Sequence, residues 1–428
     1  MKKLLTLSLV ALMVLAASAS ATVTRTYTLG QTNNILLDED NIMMYPSRIN
    51  MYPNVALADM GYLSNYDAYE ENSVASFGVH WKFNEKNPWV LGTYFYNAGE
   101  QYSDHGLGLS NTWLPLNYWM PYLYWVPELG SNKRFTLVYG RKLGSNYFGF
   151  SFNKVQTSYK DETAAPNNDG KYGMGAYDFG FSLTDGAGKW DVAAGINLLS
   201  FSDMEDETNH NWKSKGNKSF YGYGRFFHQV NPQWTLVPNG GIVIGKFEAD
   251  AYDNGTPQAV MYTDKYTSTT FWGGLGAHYT PAPNMLAVGE VGIGYNTTKF
   301  THTDPNTPDN TYNFKDTYLT FPYFKLGVEG KMFDWMDLRF GATSNWHRET
   351  FETTNYYLAD LPTKEKWNYP DNQTYFGTGM HFGNFLIDTY TDPDIFLNAF
   401  YFISGNDSGD GEGDGQLNLH VSVLYEFK

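Results

Sequence analysis

The C-terminal stretch Gln416–Lys428 reads Q-L-N-L-H-V-S-V-L-Y-E-F-K, and it decides the fold. Apolar residues take every second position: Leu417, Leu419, Val421, Val423, Tyr425 and Phe427. Asn418, His420, Ser422 and Glu426 mostly fill the gaps. Successive side chains of a strand point to opposite faces, so this segment has one apolar and one wet face. Strands of soluble sheets alternate too, so the rest of the chain must show what kind of sheet it closes.

Upstream the same alternation recurs. Ser73–Phe83 sets Ala75, Phe77, Val79, Trp81 and Phe83 against Ser76, Gly78, His80 and Lys82. Met336–His347 sets Met336, Leu338, Phe340 and Ala342 against Asp337, Arg339, Gly341 and Thr343. No long apolar pattern at helical spacing is present. Tight connections rich in Gly, Pro, Asn and Asp fall at Asn84–Pro88, Glu128–Lys133, Asp185–Lys189, Asn231–Gln233, Pro281–Asn284, Phe333–Trp335 and Thr391–Asp394. Long polar connections alternate with them, at Gly99–Thr112, Tyr159–Lys171, Asp203–Asn217, Ala251–Lys265, Thr301–Lys315, Glu352–Asn372 and Ser404–Gly415. Met51–Leu63 supplies a further strand that would rise beside the final one and close an antiparallel ring. The expected architecture is all-β: a transmembrane antiparallel up-and-down β-barrel of about 16 strands, or about 14 or 18, with short periplasmic turns and long extracellular loops. Arg134–Tyr159 could hold two strands broken at Gly144-Ser145-Asn146. The expectation is one tall strand with a bulge, because a split would move every later long loop to the periplasmic side.

With two aromatics ending its apolar face, Gln416–Lys428 resembles the C-terminal strand of bacterial outer-membrane β-barrel proteins. The resemblance implies that Tyr425 and Phe427 act as the assembly signal, with the barrel-assembly machinery and outer-membrane lipid as partners. Lys428, after the last aromatic, departs from the usual terminal Phe.

The N-terminus fits export. Lys2 and Lys3, the apolar run Leu4–Ala16 and Ala19-Ser20-Ala21 form the three parts of a signal peptide, with cleavage expected after Ala21. The expected organisation is a signal peptide over 1–21, a periplasmic or plug-like segment over 22–50, and a barrel over 51–428. Without Lys2 and Lys3, 29 basic residues become 27 against 45 acidic ones, and 27 − 45 gives −18. Such an acidic chain lacks the basic surface that nucleic acid requires. There is no cysteine, so no disulfide or thiolate site holds the fold. Mean hydropathy is only −0.44 despite 34 Tyr, 29 Phe and 12 Trp. Barrel strands average out in this way, and Tyr and Trp suit the membrane interface.

Thr22–Asn50 fits the strand rhythm poorly, mixing apolar residues with Asp38, Glu39 and Asp40. Within it, Asp40, Pro46 and the small Ser47 are faintly similar to the hatch signature of long-chain fatty-acid transporter-like barrels, although Tyr45 stands where that family has Asn. Trp113–Pro127 carries Pro115, Pro121 and Pro127 on one face of an otherwise apolar strand. Proline cannot donate to a ladder, so a bulge or a gap is expected there. Pro121 with Trp119 and Trp125 is the candidate border of a lateral opening.

Alternation points His80, Lys82, Arg225, Glu290, Lys325, Glu329, Arg339 and His420 into the lumen, where charge avoids lipid. They are the candidate lining of a passage, or pairs bracing a filled bore. No nucleophile–base motif or paired-His metal spacing occurs, so no enzyme and no cofactor is expected. In the last long loop Asp410, Glu412 and Asp414 follow the first half of a calcium cage, without its closing bidentate acid. The expected function is a porin-like channel or transporter passing small solutes across the outer membrane. Two alternatives stand beside it: a surface structural or adhesion barrel with a closed lumen, and a hydrophobic-compound transporter with a lateral opening. Assembly into homo-oligomers is left open.

Overall fold

The computed structural model describes residues 22–62, 73–84, 86, 88–98, 132–160, 171–202, 204–205, 210–253, 260–304, 312–354, 363–391 and 419–427. They form a closed, all-antiparallel barrel of 16 strands. The first eight are β1 (Val55–Tyr62), β2 (Ser73–Phe83), β3 (Trp89–Ala98), β4 (Asn132–Leu143), β5 (Asn146–Lys160), β6 (Lys171–Asp185), β7 (Trp190–Ser202) and β8, which runs in two pieces, His210–Ser214 and Asn217–Phe226. The others are β9 (Trp234–Asp253), β10 (Val260–Ala282), β11 (Met285–Thr303), β12 (Tyr312–Phe333), β13 (Met336–Thr354), β14 (Thr363–Phe382), β15 (Phe385–Thr391) and β16 (Leu419–Glu426). Closure is made by β1 on β16, from Val55 opposite Glu426 to Gly61 opposite His420.

The barrel is apolar outside and polar inside. Phe77, Phe95, Leu326 and Phe340 are half or more exposed, whereas the inward His80, Asp191 and Asp388 are fully buried. A soluble sheet has the reverse pattern; lipid around the wall explains this one. At the short-turn rim, rings stack in pairs: Phe83 on Trp89 (4.2 Å), Trp234 on Tyr279 (4.5 Å) and Phe385 on Tyr425 (4.5 Å). Such rings suit an interface, where one edge is apolar and the other wet.

Three local expectations are corrected. Arg134–Tyr159 is not one strand: the chain reverses at Gly144-Ser145, where Gly144 takes φ +61°, and β4 pairs with β5 from Leu143 opposite Asn146. Glu128–Lys133 does not end in a tight turn, since Asn132 and Lys133 already belong to β4. Thr391–Asp394 is not the next turn either. Strand β15 runs on to Thr391, and the reversal lies at Gly383-Asn384, with Gly383 at φ +62°. Both reversals rest on a glycine in the left-handed region, where a side chain would be strained. Trp113–Pro127, with Trp119, Pro121 and Trp125, lies outside the described residues, and β3 pairs directly with β4 over ten positions, from Trp89 opposite Arg141 to Ala98 opposite Asn132. Each extra hairpin is offset by one strand fewer, the first between β3 and β4 and the second between β15 and β16, which also pair directly, so the strand count survives both misreadings. The calcium candidates Asp410, Glu412 and Asp414 also lie outside the described residues.

Residues 22–54 precede β1 and lie within the ring. They form the short helix α1 (Val23–Thr28), capped by the Thr22 hydroxyl accepting from the Arg25 amide, and two 3-10 turns, Glu39–Ile42 and Pro46–Met51. Most of their side chains are buried.

Candidate functional site

The segment is held by wall residues of every kind that alternation points inward. At one side Asp191 on β7 sits between two guanidiniums. Arg48 of the segment reaches it with Nε and Nη2, both at 2.8 Å, and Arg225 on β8 with Nε at 2.7 Å. Thr184 donates to the same carboxylate at 2.6 Å. Arg225 also donates to the carbonyls of Asn33, Asn34 and Leu36 and lies over the Tyr45 ring at 4.6 Å. These side chains are almost wholly buried, so each charge depends on the others.

A second charged group lies across the lumen. Arg25 of α1 binds Asp38 at 2.6 Å and grips Glu329 on β12 with two bonds, at 2.7 and 2.8 Å. Arg339 on β13 joins Glu329 (2.6 Å) to Asp388 on β15, and Thr22 donates to Asp388 at 2.6 Å. Bidentate guanidinium–carboxylate contacts of this kind fix orientation as well as contributing energy.

On the third side no buried Lys or Arg bonds the segment among the described residues. The Tyr94 hydroxyl lies 3.2 Å from Glu39 and also bonds His80 Nε2, and His80 Nδ1 lies 2.7 Å from the Tyr52 carbonyl. A carbonyl only accepts, so Nδ1 carries a proton; the chain closes without separated charge when Tyr94 donates to Nε2 and a protonated Glu39 donates to the Tyr94 oxygen. Burial, with the charges of Asp59 and Asp40, holds the Glu39 carboxyl well above its ordinary range. Burial pushes Asp40 up to about 8: Thr26 donates to one of its oxygens at 3.0 Å, and the other has no hydrogen-bond partner. Thr24 of α1 bonds both His420 and Ser422 on β16.

Between the polar contacts the wall is carved by glycine. A Cβ at Gly149 would overlap the Pro46–Ser47 backbone, one at Gly276 the Ile35 side chain, and ones at Gly327 and Gly341 the Leu29 backbone. Inward apolar residues interrupt the alternation where the segment packs on them. Leu424, the one apolar gap-filler in the last strand, is buried with Ile42, Tyr52 and Leu386.

Of the residues singled out from sequence, His80, Arg225, Glu329, Arg339 and His420 are therefore contacts of the segment or of its partners. Lys325 donates to the Gln31 carbonyl at 2.9 Å. Glu290 is buried and accepts from Asn239 and Tyr323, both at 2.9 Å. Lys82 is exposed at the short-turn rim, where its backbone amide binds Asn54. Tyr425 belongs to the ring girdle, and Phe427 donates its amide to the Asn54 carbonyl at 2.9 Å. Sequence reading missed Asp191 and Asp388. Alternation with the outward Val192 could have found the first, and the misplaced turn hid the second.

The described residues thus form a closed ring with an apolar exterior, a polar interior and all its short turns at one end. The chain has the fold of an outer-membrane β-barrel protein. Solved outer-membrane barrels align over most of its length at low identity. The Ralstonia pickettii toluene transporter TbuX matches at 10% identity and a TM-score of 0.42, covering 96% of this chain and 99% of that one. The ferric yersiniabactin uptake receptor FyuA of Yersinia pestis matches at 8% and 0.38, covering 88% and 80%. The CymD monoaromatic hydrocarbon channel matches at 8% and 0.36, covering 94% and 96%. No protein-family model and no curated protein sequence matches the chain.

Proposed function

We propose that the chain resides in the outer membrane of a Gram-negative-type bacterium, exported by its cleaved 1–21 signal. There it passes small solutes through a lumen gated by residues 22–52. The observation that carries this reading is the manner of filling. A merely structural core would be apolar, whereas this one is held by side-chain bonds between a connected segment and the wall, which can be exchanged for water. Inward charges then serve as the seat of a plug, in place of an open passage. Tyr425 and Phe427 would present the closing strand to the assembly machinery.

The absence of native cysteine gives a clean test. The Ser47 and Ser182 hydroxyls are 2.8 Å apart, so a Ser47→Cys/Ser182→Cys pair can lock the segment to β6. Solute flux into proteoliposomes should occur with the reduced protein, fall on oxidation and return with reductant. Flux unaffected by the lock would refute gating at this side. No flux in either state would favour the second reading, a closed surface barrel whose loops bind a partner; the ring of contacts around the whole segment supports that one.

A further inference from the structure

We propose that the lumen between residues 22–52 and the long connections holds a binding site for an organic cation, a protonated amine or quaternary ammonium group on a hydrocarbon body. This rests on the transport reading and names the class of solute that the wall selects.

Five rings cross adjacent strands on the inner face at one level. They are Phe247, Tyr266, Phe300, Phe314 and Phe351 on β9 to β13, with successive centroids 5.7, 4.4, 4.6 and 5.6 Å apart. A shift in register between Thr320 and Tyr323 changes which residues of β12 face inward, and so brings Phe314 and Asp316 to the lumen. Next to the rings, one step closer to the segment, Ser268 stands opposite Thr298, and Thr298 opposite Asp316; Thr270 is the next inward residue of β10. Ser268 Oγ, Thr270 Oγ1 and Asp316 Oδ1 are buried and have no hydrogen-bond partner. Buried polar atoms are nearly always satisfied, so three neighbouring ones mark a place where something polar binds.

The charge of the missing partner follows from the groups around it. Glu349 on β13 lies diagonally opposite Asp316, so the two acids oppose each other. Lys299 and Lys315 alternate onto the opposite face of the wall from Thr298 and Asp316, and other bases are engaged elsewhere: Lys215 on Asp250 and His302 on Asp264, both at 2.6 Å, Lys246 on Glu248 at 2.7 Å, and Lys364 on Glu352. His347, further in, stacks on Tyr318 at 4.8 Å and bonds Thr320. A buried carboxylate demands a positive partner, and ring faces attract cations. A neutral sugar could use the rings and hydroxyls but would leave the carboxylates uncompensated, and an anion would be repelled.

The test is isothermal titration of the full chain in detergent with phenethylammonium, neutral 2-phenylethanol and anionic phenylacetate. The cation should bind saturably, the alcohol about ten-fold more weakly and phenylacetate not at all, with Asp316→Asn weakening only the cation, again about ten-fold. Heat-modifiable gel migration verifies that the variant is folded, and Phe300→Leu should weaken the cation independently of Asp316. Equal affinity for cation and alcohol, an unchanged Asp316→Asn, or no saturable binding of the cation would overturn the site. Binding needs no flux, so binding without flux would sink the transport reading alone, and flux without binding would sink this site alone.

Discussion

The two flanks of the N-terminal segment are held in different ways. Against β5 to β8 it is fixed by charge: Arg48, Asp191 and Arg225 form a buried triad, beside a wall cut back to glycine at Gly149. Against β1 to β3 it offers Glu39, which meets the Tyr94 hydroxyl and lies 3.8 Å from Nε2 of His80, with Asp40 close by and bonded to Thr26 of the segment itself; among the described residues no Lys or Arg bonds either acid. The first flank resembles a clamp whose strength is set by geometry. The second depends on protons being present.

The largest effect is expected at the clamp. Asp191→Asn leaves Arg48 and Arg225 buried beside each other without their shared anion, a loss of about 3–5 kcal/mol. A Ser47→Cys reporter, fully buried in the seated segment, should become reactive to maleimide while heat-modifiable migration shows the barrel intact. Continued protection would show that charge does not hold this flank. Gly149→Val attacks the same flank by shape, since its side chain would occupy the Pro46–Ser47 backbone; overpacking of this kind costs about 1–3 kcal/mol. Labelling should rise again, by less than for Asp191→Asn, and a silent variant would mean that the backbone there yields freely.

The other flank should answer to pH. The folded carboxyl of Asp40 titrates at about 8, above its ordinary range, so its stabilising share is fully present in acid and is lost as pH rises through about 8. Glu39, shifted in the same direction, adds to this. An Ile42→Cys reporter, normalised to the unfolded chain at each pH, should gain reactivity as pH rises from about 4 to about 8, whereas Ser47→Cys should not. Asp40→Asn should flatten that rise; an unaltered profile would show that Asp40 is not the group responsible. The smallest effect is expected at Lys82, which is exposed at the rim: Lys82→Ala should leave both reporters as they were, and a change in either would give that residue a role in seating the segment.

Much of the wall was legible in the chain, because a strand between lipid and lumen must alternate and turns need Gly, Asn, Asp or Pro. The two misplaced turns share a cause. In L-G-S-N and F-G-N-F the reversal takes only two residues, so alternation runs almost unbroken through it. Glycines on the wet face looked like room for curvature, and they are the seat of the segment. Which inward charges belong to that seat could not be read, because Arg48 meets Asp191 across 143 residues of chain and Arg25 meets Glu329 across 304.

Gln416–Lys428 shows the division clearly. Its sequence alone determined a strand with one face for lipid and one for the interior, since period-two alternation follows from backbone geometry. Only the tertiary structure decided what that interior contains. His420 and Ser422 meet Thr24, and Leu424 packs under Ile42, because a chain segment fills the bore where water could have stood. Alternation fixes a direction for each side chain; the partner at the end of that direction is set by which distant segment fits there.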